Sequence, residues 1–104
     1  MTDYYSIRVS NQIEKARSPD TSIKELSSLA KDPNWTVRRG VATNPHTPAE
    51  VLTELAEDES IHVRHAVRFA NPSCPEAVKL WLNMGGFAGM TLAEFVKKVN
   101  NGLL

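Results

Sequence analysis

Apolar residues recur at intervals of three and four along most of the chain, which is the spacing of one buried face of an α-helix. The pattern is also repeated, because a shift of 26 residues places Leu26 on Leu52. Beyond the apolar stripe, residues 37–41 read VRRGV and residues 63–67 read VRHAV. A third, shortened copy occupies residues 74–82. The chain therefore contains two full units of 26–27 residues and a truncated third.

The first helix of each unit is predicted from a capping motif and the apolar stripe that follows it. Thr47 and Glu50 have the spacing of a capping box, and Ser22 with Glu25 repeats it in the first unit. The stripes predicted to face the core are Ile23, Leu26, Leu29 and Ala30, and then Val51, Leu52, Leu55 and Ala56.

The second helix of each unit is shorter and is predicted from its two ends. Asp32 and Asp58 are expected to cap it. The prolines of Asn44-Pro45 and Asn71-Pro72 are expected to end it, since the residue before proline avoids helical geometry. The residues predicted to face inward are Val37, Gly40 and Val41, and then Val63, Ala66, Val67 and Ala70.

Residues outside the repeats are predicted to cover the two ends of the core. Residues 3–17 can form a helix with Tyr5, Val9, Ile13 and Ala16 on one face, and Thr91 opens a helix that turns Leu92, Phe95, Val96 and Val99 inward. We therefore predict one all-α domain. It has an N-terminal capping helix in residues 1–18, repeats in residues 19–82, and a glycine-rich connector with a C-terminal helix in residues 83–104.

The stretch NPHTPAEVLTELAEDESIHVRHAV, residues 44–67, resembles the repeat of the variant leucine-rich repeat family, and more distantly the HEAT and armadillo repeats. The resemblance covers about residues 19–82. It implies a short right-handed α-solenoid in which an α-helix alternates with a shorter, partly 3₁₀ helix. Some members of that family carry a cysteine-ligated iron–sulfur cluster ahead of the repeats. This chain has one cysteine, Cys74, so no such cofactor is expected.

The overall composition is typical of a soluble protein and does not indicate a particular class of partner. Twelve Lys and Arg balance twelve Asp and Glu, so net charge does not indicate nucleic acid or a membrane surface. The single cysteine suits a reducing compartment, and no apolar run approaches the ~20 residues of a spanning helix. We therefore expect a cytoplasmic protein that does not contact membranes.

The zero net charge nevertheless hides a segregated distribution. The second helices carry Arg38, Arg39, Arg64, His65 and Arg68 with no acid among them, whereas glutamates crowd the first helix of the second unit. Stacking of the units is expected to set Arg38 beside Arg64, and Arg39 near His65 and Arg68. Guanidinium groups in register could hold carboxylates or phosphates bidentately. Arg38 and Arg64 have a second interpretation, since each follows an Asp at a fixed offset and the pairs could form a structural ladder. Arg39, His65 and Arg68 differ between the units, so a ladder does not account for them.

Other reactive residues are expected to be structural. Cys74 occupies the slot of Thr47 before a helix, where its pKa could be lowered, but no partner base is evident. His62 and His65 are too few for a metal site, even with His46. Trp35 aligns with Ile61 and is expected in the core. Trp81 aligns with the exposed Glu54, so it is either covered by the C-terminal helix or, with Phe87, forms an apolar contact surface.

Two functions follow from these observations. The first is a non-enzymatic module that binds an acidic protein surface through the basic face of the second helices, with self-association into a homodimer also allowed. The second is a nucleic-acid-binding module that uses the same arginines on phosphates, against which stand the zero net charge and the lack of aromatic residues expected on that face. A recognition subunit of an enzyme is a third. No catalytic, cofactor or metal residues are predicted.

Overall fold

A computed structural model gives the structure of the chain and describes residues 4–84 and 91–102. Within these two ranges the chain is all-α and contains no strand. Its helices are α1 (Tyr4–Arg17), α2 (Ile23–Leu29), α3 (Trp35–Thr43), α4 (Ala49–Leu55), α5 (Ile61–Ala70), α6 (Glu76–Asn83) and α7 (Leu92–Asn100).

Of the N-terminal caps predicted for α2, α4 and α7, the first and the last are confirmed and the cap of α4 is wrong. Ser22 accepts a hydrogen bond from the Glu25 amide at the start of α2, and Thr91 accepts one from the Glu94 amide at the start of α7. Thr47 does not cap α4, because its hydroxyl donates to the carbonyl of Val41 at 2.7 Å. Thr47 therefore ties the start of α4 to the end of α3 and leaves the first turn of α4 without a side-chain cap.

The second helices begin two residues later than the sequence predicts. Asn34 caps α3 and Ser60 caps α5. Asp32 and Asp58 instead accept a hydrogen bond from the backbone amide two residues on, each at 2.9 Å. This is an Asx turn, in which the carboxylate shapes the loop ahead of the cap. The second carboxylate oxygen of each Asp is left for other partners.

Within the described ranges the core is a single cluster, and each of the helices α1–α7 contributes to it. Helix α3 lies between α1 and α5 and packs mainly on these two, whereas α6 packs against α5 and α7. The close approach of α1 and α3 depends on Gly40, because a Cβ at this position would lie 2.9 Å from the Cβ of Ala16. The predicted stripe of α1 is confirmed at Val9, Ile13 and Ala16, while the side chain of Tyr5 lies outside the described part.

Three residues predicted to be buried are exposed. Trp35 is 37% exposed, and it precedes Val37 by two residues, which turns it about 200° away from the inward face of α3. Ile23 and Ala70 stand at the first position of α2 and the last position of α5, beyond the part of each helix that its neighbours cover. The other described residues of the stripes are buried, except that Val9, Ile13, Val96 and Val99 are partly buried against the core.

Asn44 and Asn71 join each unit to the one before it. The Asn44 amide group donates to the carbonyls of Ala16 and Ser18, both at 2.9 Å. In the next unit, Asn71 donates to the carbonyls of Ala42 and Asn44 at 2.7 and 3.0 Å. Both asparagines are buried. Each Asn-Pro pair ends its helix as predicted, and the asparagine also satisfies carbonyls at the end of the preceding helix.

Candidate interaction surface

Asp58 connects the two repeated arginines. Arg38 donates through Nε and Nη2 to the two carboxylate oxygens of Asp58, at 2.8 and 3.1 Å. Arg64 donates through Nη1 to the backbone carbonyl of Asp58 at 2.7 Å. Arg38 makes the equivalent bond to the carbonyl of Asp32, also at 2.7 Å. The fixed Asp–Arg offset in the sequence thus corresponds to one hydrogen bond that recurs in both units.

A further ion pair extends this series toward the N-terminus. Nη1 of Arg8, on α1, lies 3.6 Å from the carboxylate of Asp32. Asp32 therefore faces an arginine from the preceding helix layer, as Asp58 faces Arg38. We call the series Arg8–Asp32–Arg38–Asp58–Arg64 the arginine–aspartate ladder.

Arg38 is a structural residue of this ladder and does not reach the exposed face. It is 8% exposed, and its guanidinium is occupied by Asp58 and the Asp32 carbonyl. Hydrogen bonding to Asp58 raises the pKa of Arg38 above its usual value. Of the five basic residues predicted to bind a partner, Arg38 thus has Nε, Nη1 and Nη2 all engaged within the fold, whereas Arg64 uses only Nη1.

Arg39 and His65 are brought together as the sequence predicts. They line a groove of about 410 Å³ between α3 and α5, which we call the α3–α5 groove. The full lining is Arg39, Thr43, Ile61, His62, His65, Ala66, Phe69 and Ala70. Among the described residues, no acidic side chain contributes to it. Its cationic and imidazole groups therefore stand beside apolar side chains in one concave surface.

Aromatic rings flank this groove, and sequence reasoning missed them. Trp35 stacks on His62 with ring centroids 4.5 Å apart and planes 24° from parallel. Phe69 is 60% exposed and lies 4.5 Å from the His65 ring. The expected lack of aromatic residues on this face is therefore wrong. The available signal was that Trp35 and Phe69 both fall outside the inward stripe when each helix is drawn at 100° per residue.

Arg64 and Arg68 lie one turn apart on α5, so they share a side of that helix. The guanidinium carbon of Arg68 sits 4.3 Å from the centre of the Phe69 ring, a cation–π contact. Its Nε is buried and, among the described residues, has no hydrogen-bond partner. Arg68 is not in the lining of the groove, whereas its neighbour Phe69 is.

The remaining candidates stand apart from this surface. Cys74 is buried, and burial raises the pKa of its thiol, opposite to the lowering considered for a helix N-terminus. Trp81 is 6% exposed and belongs to the core, which leaves it unavailable as an exposed contact. Phe87 lies outside the described residues. Within residues 4–84 and 91–102, no three His, Cys, Asp or Glu side chains are grouped closely enough to hold a metal ion.

The opposite sign of charge is concentrated on α4 and the turn after it. Glu50, Glu54, Glu57 and Glu59 are all exposed there. Glu59 reaches to 3.8 Å from Arg38, but its side chain is 91% exposed, so this contact is weak. The segregation predicted from the sequence is thus present as an acidic α4 and an acid-free α3–α5 groove.

No helix in the described ranges has the length and apolar character that crossing a membrane requires.

Comparison with known proteins supports the repeat assignment. The sequence model of the leucine rich repeat variant family matches residues 35–60, which run from the first residue of α3 to the cap of α5. The match confirms the resemblance over about a quarter of the chain, in a segment that contributes Arg38, Arg39 and Asp58. No curated protein and no solved structure matches the chain.

Proposed function

We propose that this chain is a non-enzymatic helical-repeat module, built as a short right-handed solenoid, that binds an acidic surface of another protein. The α3–α5 groove is the contact surface. The observation that carries the proposal is the composition of this groove: Arg39, His62 and His65 stand beside exposed Ile61 and Phe69 with no acid in the lining.

The groove has the features of a protein-binding surface. Exposed aromatic residues and arginines are the side chains most enriched at the energetic centres of protein interfaces. Trp35 is held by its stacking on His62, and Phe69 is held between His65 and Arg68. Both rings therefore lose little side-chain freedom on binding. The apolar part supplies buried area, and the cationic groups select a partner that carries carboxylates.

A nucleic-acid partner is the second candidate, and the exposed aromatic residues favour it. Bases stack on aromatic rings and phosphates pair with arginines, so Trp35, Phe69 and Arg39 could serve a single strand. Against it stand the use of Arg38 in the ladder and the exposed glutamates of the neighbouring α4. We therefore place the acidic protein first. A cytoplasmic site of action is part of the same proposal.

The test is affinity capture from a lysate of cells that express the protein. The tagged chain is incubated with nuclease-treated lysate, and captured proteins are identified by mass spectrometry. Wild type is compared with the double variant Arg39→Glu, His65→Glu, which reverses or adds charge in the groove. The matched control is Lys24→Glu, Lys31→Glu, which changes two exposed cations on the α2 side.

The proposal predicts a protein with an acidic surface that binds wild type and the control but not the groove variant. Binding that disappears with nuclease, and weakens steeply between 50 and 200 mM salt, identifies the nucleic-acid alternative. Equal capture by all three proteins shows that the groove is not the contact surface.

A further inference from the structure

The arginine–aspartate ladder has an open end at Arg64. Arg38 makes two kinds of contact. Its Nη1 donates to the backbone carbonyl of Asp32, in its own unit, and its Nε and Nη2 donate to the carboxylate of Asp58, in the following unit. Arg64 makes the first contact, with the carbonyl of Asp58. Across the described ranges, its Nε and Nη2 make no hydrogen bond or ion pair.

The sequence explains why the second contact is missing. Twenty-seven residues after Asp58, where the third unit would place its Asp, the chain has Gly85. From residue 72 onward the acidic side chains are Glu76 and Glu94, and neither pairs with Arg64. The truncated third unit therefore provides no carboxylate for this arginine.

Arg68 adds a second unused donor on the same side of α5. Its Nε is buried without an acceptor, although a buried guanidinium nitrogen normally has one. Because that Nε is covered, the donors that Arg68 offers beside Arg64 are its terminal nitrogens. The fold already holds both side chains, Arg64 by the Asp58 carbonyl and Arg68 by the Phe69 ring.

We infer that Arg64 and Arg68 are the docking point for an aspartate or glutamate side chain of a partner protein. Arg64 would donate to that carboxylate through Nε and Nη2, as Arg38 donates to Asp58. The inference deepens the proposed function, on which it rests, because it assigns the anchoring contact beside the α3–α5 groove. The Arg38–Asp58 pair supplies the template, with both carboxylate oxygens taken by Nε and Nη2 of one guanidinium.

A different protein fits this position better than a second copy of the chain. A copy that continued the repeat would present Asp32 to Arg64, but Asp32 is paired with Arg8 and α1 packs over α3. The exposed glutamates of α4 are the other source within a second copy. Sedimentation of the purified chain separates these cases. A monomer at micromolar concentration is expected, and a dimer that Arg64→Lys dissociates would contradict a foreign partner.

The experiment uses a library of random 12-residue peptides displayed on phage and selected on the purified wild-type chain. An enriched peptide is then synthesised with a fluorescent label, and its affinity is measured by fluorescence polarisation for wild type, Arg64→Lys, Arg68→Lys and the groove variant Arg39→Glu, His65→Glu. Lysine keeps the charge but loses the bidentate fork. Arg17→Lys, at an exposed position on α1, is the matched control. Thermal melting confirms that each variant is folded, and Arg68→Lys serves if Arg64→Lys is not.

The inference predicts that enriched peptides share an Asp or Glu. Changing it to Asn or Gln should weaken binding about tenfold, as should Arg64→Lys, and the two changes together should cost little more than either alone. Selection of peptides without an acid, or unchanged affinity for Arg64→Lys and Arg68→Lys, overturns it. Peptides that need Arg39 and His65 but not Arg64 overturn the inference and leave the proposed function standing. If peptide affinity is unchanged by substitution of Arg39, Arg64, His65 and Arg68, both the inference and the proposed function are overturned.

Discussion

Arg38 grips Asp58 across 20 residues of sequence, with two hydrogen bonds between side chains that are each about nine-tenths buried. The same arginine also bonds the carbonyl of Asp32. One side chain thus connects the loop before α3 to the loop before α5. This contact fixes the relative position of the two helices that form the α3–α5 groove.

Removal of the Arg38 side chain should therefore lower the free energy of unfolding strongly. Arg38→Ala leaves the Asp58 carboxylate buried without its partner, and such a change costs about 3–5 kcal/mol of unfolding free energy. Arg39→Ala, at the next residue, removes an exposed side chain and should stay within about 0.5 kcal/mol of wild type. Urea denaturation followed by circular dichroism measures both. Equal stability of the two variants would show that the ladder does not hold the repeats together.

The pH dependence of this pair follows from the raised pKa of Arg38. A group whose pKa is higher in the folded state stabilises the fold fully below its unfolded pKa, and loses that contribution as pH rises through the folded pKa. For an arginine this window lies in strong alkali. The Arg38 guanidinium should therefore keep its contribution throughout the neutral range.

Asn71 provides a test of the second connection between units. Asn71→Ala removes two donated hydrogen bonds and leaves the carbonyls of Ala42 and Asn44 without this donor, which should cost about 2–3 kcal/mol. Asn71→Asp places a carboxylate oxygen against those carbonyls, so its pKa should be raised. The stability of Asn71→Asp should consequently fall as pH rises. Denaturation at pH 5 and pH 8 checks the sign, and a variant equally stable at both would contradict the buried contact.

Gly40 tests the packing of α1 on α3. Gly40→Ala should gain up to about 1 kcal/mol from helix propensity but lose about 1–3 kcal/mol from overpacking against Ala16. We expect a net loss, measured by chemical denaturation. Ala16→Gly in the same chain should restore part of it, because the added methyl group then has room. A stabilised single variant would mean that α1 does not lie so close.

Cys74 should be a slow thiol. Burial raises its pKa, so less thiolate is present at a given pH than for an ordinary cysteine, and access to the sulfur is restricted. Alkylation by iodoacetamide at pH 8 should be at least about tenfold slower in the native chain than in the same chain in 6 M urea. Similar rates in the two conditions would show that Cys74 is exposed in solution.

Sequence patterns predicted the elements of this fold well because caps and apolar stripes are local signals. Ser22, Thr91 and the stripe of α4 required only spacing within one turn. The wrong caps at Asp32 and Asp58 are local, since each carboxylate forms an Asx turn ahead of the true cap. The roles of two asparagines were not predicted because these residues act across units. Asn44 and Asn71 were interpreted only as helix ends, yet their amides reach 26–29 residues back along the chain. Their recurrence in both units was the signal that they carry a repeated structural role.

The candidate site was predicted only in part, for a similar reason. The repeated Asp–Arg offset distinguished Arg38, as a candidate for a structural ladder, from Arg39, and the structure has Arg38 buried in that ladder and Arg39 exposed. The alignment of Trp35 with Ile61 predicts a core position, but both side chains are exposed, and the angle of Trp35 around α3 turns it outward. The groove exists only where α3 and α5 lie side by side, with Arg39 from α3 and His65 from α5 both in its lining.

The most direct test of the α3–α5 groove uses the two tryptophans as built-in reporters. A chain labelled with 5-fluorotryptophan gives two ¹⁹F NMR signals, which Trp35→Phe assigns. Trp35 is exposed beside the groove, whereas Trp81 is in the core. Addition of the unlabelled captured partner should shift or broaden the Trp35 signal and leave the Trp81 signal unchanged. An unchanged Trp35 signal in the presence of bound partner would contradict the groove as the contact surface.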